Sequence, residues 1–120
     1  MILADSSVWI EHFRKPLARL PELIAIGELC IHPFVIGELA LGSVPDRIRL
    51  LTFLTALPAS TQAENEAMLA FIESRNLAGC GIGYVDVHLL MSCSEAGDKL
   101  WTRDKRLAVQ ADKLGFAFLE

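Results

Sequence analysis

Short apolar runs alternate with segments of helical spacing, and this alternation restricts the fold more than any other feature of the chain. Ile2-Leu3-Ala4, Leu29-Cys30-Ile31, Leu100-Trp101-Thr102 and Phe116 to Leu119 are too short for helices and predict strands. Leu57-Pro58-Ala59 reads as a short edge strand or a connection. Continuous apolar strands belong to parallel sheets covered on both faces, and intervening helices supply the cover. The expected architecture is therefore an α/β fold with a mainly parallel central sheet, in one domain spanning 1–120.

The helical segments have their own punctuation. Ser6 to Arg14 begins at two serines suited to capping, Ser6 or Ser7, and stops before Pro16. Leu17 to Ile26 closes at Gly27. Phe34 to Leu41 opens after Pro33 and ends at Gly42. Arg47 to Leu54 is a further stretch. Thr61 and Glu64 have capping-box spacing, and Ala63, Ala67, Met68, Phe71 and Ile72 follow a helical period. Gly79-Cys80-Gly81-Ile82-Gly83 predicts a flexible loop. Val85 to Ala96 is almost wholly apolar, which predicts a helix buried between layers. Asp104 to Leu114 is stopped by Gly115.

Composition excludes several classes. Of 120 residues, 52% are apolar and 22% charged, unlike a disordered tail. The longest stretch without Asp, Glu, Lys or Arg is Leu50 to Ala63, 14 residues interrupted by Pro58, too short to span a bilayer. No signal-peptide pattern opens the chain, so a cytoplasmic protein is expected. Cys30, Cys80 and Cys93 are odd in number and match no zinc or disulfide framework, which predicts free thiols. A mean hydropathy of +0.39 is high for a small domain, and some apolar surface is expected at a protein interface.

In parallel α/β sheets, ligands bind beyond the carboxyl ends of the strands. Asp5 directly follows the first strand, and Asp104 lies two residues after Thr102. Asp86 and Glu38 sit in apolar helical segments. Asp5 and Asp104 are equally suited to capping helices. Glu38 and Asp86 are costly in apolar surroundings without a partner, and no regularly spaced Arg or Lys accompanies either. Four carboxylates at one edge repel one another unless a cation lies between them, and a hard divalent ion prefers oxygen ligands.

Ser6, Ser7 and Thr102 adjoin the acids and are suited to orienting them. Arg103, Lys105 and Arg106 surround Asp104. Lys105 and Arg106 fall in a predicted first helical turn, where cations oppose the helix dipole and an anionic ligand offsets the cost. His12, His32 and His88 are scattered and form no zinc motif.

Leu3-Ala4-Asp5-Ser6-Ser7-Val8-Trp9-Ile10 resembles the opening of PIN-domain nucleases, especially VapC-type toxins of bacterial toxin–antitoxin pairs. Val35-Ile36-Gly37-Glu38-Leu39, Gly81 to Asp86 with Leu89-Leu90, and Leu100 to Leu107 resemble their later acidic motifs, in the same order over the whole chain. The resemblance implies a three-layer α/β/α sandwich and an endoribonuclease dependent on Mg2+ or Mn2+. It implies that Asp5, Glu38, Asp86 and Asp104 form the acidic metal site, with Ser6 and Thr102 in support. It further implies a homodimer and a VapB-like antitoxin protein that blocks the site. In this reading Arg103, Lys105 and Arg106 hold RNA phosphates, and Glu38 is either a ligand or a base.

Other readings are a PIN-domain nuclease of RNA processing and a non-catalytic interaction module. A phospho-accepting receiver needs an Asp at the end of a central strand and a second acid beside the first, and the chain has neither. The net charge of -4 does not argue against RNA. Without the four candidate acids, eleven acids face eleven bases.

Overall fold

A computed structural model describes residues 1–120. In chain order the elements are β1 (Ile2–Ala4), α1 (Ser6–Arg14), α2 (Arg19–Ala25), β2 (Leu29–Cys30), α3 (Pro33–Leu41), α4 (Arg47–Ala56), α5 (Asn65–Ser74), α6 (Tyr84–Ala96), β3 (Lys99–Trp101) and α7 (Lys105–Leu114). The strands form a parallel sheet in the order β2-β1-β3. Neighbouring residues along each strand are buried together: Leu3 with Ala4, Leu29 with Cys30, Leu100 with Trp101. Successive strand side chains point to opposite faces, so both faces of the sheet are covered and it forms the middle layer of three. One apolar cluster of 23 buried residues joins the strands to Val8 and Trp9 of α1, Val35 and Leu39 of α3, and Val87, Leu89, Leu90 and Cys93 of α6. The near-continuous apolar run of α6 is thus buried, as its composition predicts.

Both outer strands are shorter than the sequence suggests. Ala59 pairs with Ile31 and Ala117 with Leu100, each as a single parallel bridge. Pro58 has no N–H to offer, so its carbonyl accepts from Ile31 N at 2.9 Å and Ser60 N closes the pair at 2.8 Å. On the other side Leu100 N donates to Phe116 O at 2.6 Å and Phe118 N to Leu100 O at 2.9 Å. There the ladder ends, because Glu120 leaves it for Trp101 Nε1 and Arg103.

One cap realises one of two expected alternatives, and another differs from expectation. Asp5, not Ser6 or Ser7, is the N-cap of α1, and its carboxylate accepts from Val8 N at 3.2 Å. The capping box at Thr61 and Glu64 does not form. The segment before α5 runs extended, the Thr61 carbonyl accepts from Ser92 Oγ of α6 at 2.8 Å, and α5 begins at Asn65. Cys30, Cys80 and Cys93 are free thiols. No helix is long and apolar enough to cross a membrane.

Candidate active site

The strand order creates the crevice. From β1 the chain moves to β2 on one side, whereas β3 lies on the other side of β1 and leads outward to Ala117. Connections therefore diverge at the carboxyl ends of β1 and β3, the position where open α/β sheets bind ligands. Asp5 follows β1 there, and Thr102, Arg103 and Asp104 follow β3.

Asp5 is only 4% exposed. Ser7 Oγ donates to its Oδ1 at 2.5 Å, and Thr102 Oγ1 donates to its Oδ2. The same hydroxyls tie the two strand ends together. Ser7 Oγ accepts from Arg103 N at 2.9 Å, and Thr102 Oγ1 accepts from Asp104 N at 3.0 Å. Burial raises the Asp5 pKa above the ordinary carboxylate range, against these hydrogen bonds, and the nearby Asp86 charge adds to the rise.

The other acids lie around this anchor. Asp86, at the third position of α6, accepts from Gly83 N at 3.2 Å. Burial raises its pKa first, and the Asp104 charge raises it further. Glu38 is exposed on α3, yet its carboxyl is desolvated enough to be raised. The Ser6 hydroxyl opposes that shift, while Asp86 and Asp5 add to it. Asp104 caps α7 and accepts from Leu107 N at 3.0 Å. Capping therefore coexists with a place in the acidic group for both Asp5 and Asp104.

The two serines divide the work. The Ser6 hydroxyl acts on the Glu38 carboxyl, while Ser7 holds Asp5; orienting an acid is a role the sequence offered to both serines. Nothing in the Ser6-Ser7 pair distinguishes them in sequence. The distinction arises because the turn into α1 aims the second hydroxyl at β3. Among the basic residues, Arg103 pairs with Glu120 at 2.9 Å and Lys105 is exposed. Arg106 lies across Gly81, where a Cβ would come within 3.3 Å of its Cδ and Nη1.

None of the four acids has an ion-pair partner. The salt bridges are Met1–Asp98, Arg14–Glu11, Arg19–Glu22 and Arg103–Glu120. No three candidate ligands close on one point as a finished coordination shell, because each carboxylate takes a local donor. The donor set still fits a hard divalent cation: it offers only oxygen, it is mutually repelling, and no Lys or Arg neutralises it.

No family model matches the chain. The curated protein Ribonuclease VapC32 of Mycobacterium tuberculosis, from strains CDC 1551 and H37Rv, is 45% identical over 121 residues, covering 100% of this chain and 98% of the relative. The crystal structure of PAE2754 from Pyrobaculum aerophilum superposes with a TM-score of 0.68 at 18% identity, over 98% of this chain and 87% of that one, which shows a shared fold. The fold is the PIN-like α/β sandwich that the order of acidic motifs implied. Identity at this level over the full length of both sequences leaves one assignment: the chain belongs to the VapC ribonuclease family.

Proposed function

We propose that this protein is an endoribonuclease toxin of the VapC type, dependent on Mg2+ or Mn2+, that hydrolyses RNA phosphodiester bonds. The observation that carries the reading is the group of four carboxylates on the carboxyl edge of a parallel sheet, three raised in pKa and none paired with Lys or Arg. Asp5, Asp86 and Asp104 are the residues that would hold the ion, and Ser7 and Thr102 keep Asp5 aimed. When bound, the cation neutralises the acids and withdraws charge from the scissile phosphate. Arg106, and Arg103 once released from Glu120, hold flanking phosphates without reading bases, and Lys105 adds a mobile charge. Glu38 is the most solvent-accessible acid with a raised pKa, which suits it to take a proton from the attacking water.

A VapB-like antitoxin is the proposed inhibitor. A cleft of about 410 Å³ beside Glu38, lined by Ile10, Phe13, Leu39 and Val44, offers it an apolar seat at the site's rim. Leu41 and Ile48 are 91% and 84% exposed nearby in the chain, which supports burial of this side in a complex or a homodimer.

The purified protein should cleave RNA with Mg2+ or Mn2+ and lose that activity in EDTA. Glu38→Gln should lose cleavage while keeping the rise in unfolding temperature that the cation brings. Loss of both would make Glu38 a ligand instead. Full cleavage in EDTA would sink the metal reading.

A further inference from the structure

A second cleft lies beside the acids and takes no part in holding them. It has a volume of about 480 Å³ and is lined by Phe34, Gln62, Glu64, Asn65, Tyr84 and His88. Two helices build both the acidic site and this cleft. α3 supplies Phe34 here and Glu38 there, and α6 supplies Tyr84 and His88 on either side of Asp86. Phe34 and Glu38 are four residues apart on α3, about 6 Å of helix rise, so the cleft lies about one turn of that helix from Glu38.

Its walls combine aromatic rings with unused polar groups. His88 meets Phe34 edge-on at 4.7 Å and Tyr84 at 4.8 Å, and His32 extends the cluster at 5.9 Å from His88. Tyr84 is 45% exposed. Its hydroxyl donates to Asn65 Oδ1 at 2.6 Å, which leaves the Asn65 amide nitrogen free to donate. The side chains of Gln62 and Glu64 make no hydrogen bond or ion pair. His88 is 4% exposed, and its Nδ1 is buried without a partner. The Gln62, Glu64 and Asn65 side chains are exposed at the cleft, and polar groups open to solvent beside an exposed aromatic residue suit a flat ligand with a hydrogen-bonding edge.

We infer that this cleft is a subsite for one unpaired nucleobase of the RNA, favouring bases that carry an exocyclic amino group over uracil. The ligand class rests on the nuclease reading. Tyr84 offers the stacking surface, as aromatic rings do for single-stranded RNA. Glu64 only accepts hydrogen bonds, so it selects amino-bearing base edges and repels phosphate. Asn65 and Gln62 supply the complementary donors. The acids and basic residues thus act on the backbone, and the α3–α6 cleft reads one base.

Tyr84 is the only tyrosine, so its ring resonances are unambiguous. The full-length chain in EDTA is titrated with GMP, CMP, AMP, UMP and ribose 5-phosphate. The Tyr84 and His88 ring signals should move with the amino-bearing nucleotides at concentrations about threefold or more below UMP, and not with ribose 5-phosphate. Glu64→Gln and Asn65→Ala should weaken the response. In parallel, cut sites are mapped on a randomised RNA with Mg2+. Tyr84→Ala and Glu64→Gln should reduce base bias at one position next to the cut by about tenfold. Ring signals that stay still, or that move equally with ribose 5-phosphate, overturn the subsite. Unchanged bias in both variants with cleavage intact does the same. Failure of the wild type to cut any RNA overturns the nuclease reading instead, and the titration then decides the cleft alone.

Discussion

Asp5 shows how much one side chain does at this site. It caps α1 through Val8 N and receives two hydroxyls that bind α1 to the end of β3. A carboxylate has about four lone-pair sites, so this load still leaves room for a cation. Its raised pKa means that the folded state favours the neutral form. The associated stability is present below the ordinary carboxylate range and is lost as pH rises through the raised value. Ionising Asp5 therefore works against folding, and its neutral isostere should not carry that cost. Asp5→Asn is expected to lower RNA cleavage by about a hundredfold or more while the unfolding temperature stays level or rises. A large fall in that temperature would make Asp5 a mainly structural residue.

His32 behaves in the opposite sense. It is fully buried and caps α3 by accepting from Phe34 N, and burial lowers its pKa to about 4. Its stabilising neutral state is present above the ordinary pKa of about 6.5 and is lost as pH falls toward 4. Unfolding measured across that window should show a loss of up to about 3 kcal/mol. His32→Asn keeps a capping oxygen and should flatten the slope.

Among the elements, the loop into α6 is the tightest constraint. Gly81 has φ +86°, and a Cβ there would press on Arg106. Gly81→Ala should cost about 1–2 kcal/mol from the left-handed backbone alone. It should also displace Arg106, weakening RNA binding most at low salt, where phosphate contacts count most. Equal weakening at all salt concentrations would remove Arg106 from the phosphate contacts. The edge strands teach a different lesson. Pro58 and the turn of Glu120 reduce both outer strands to single bridges, so the three central strands carry nearly all the regular pairing.

For the whole molecule, charge is the governing quantity. The four candidate acids account for the entire formal surplus of -4 and are clustered without basic partners. A ligand that binds only the folded chain stabilises it by mass action, by about 2.7 kcal/mol at a hundred times its Kd. Millimolar Mg2+ or Mn2+ should therefore raise the unfolding temperature by several degrees over EDTA. The double variant Asp5→Asn with Asp86→Asn should abolish that rise. A rise that persists in the double variant would place the cation elsewhere.

The sequence by itself determined the layer architecture, since runs such as Leu3-Ala4 and Leu100-Trp101 are apolar on both faces and only a covered parallel sheet accepts them. It also marked the acids, because charged groups at strand ends and in apolar helices stand out against their neighbours. Only the tertiary structure decided which serine holds Asp5 and that Asp5 itself caps α1. The capping-box spacing at Thr61 was overridden by contacts to Ile31 and Ser92, residues distant in sequence. The pairing of Phe34 with His88 was likewise invisible, because it joins helices some fifty residues apart. Local patterns encode burial and helix period. Which side chains meet across elements depends on sheet order and packing, which no local window contains.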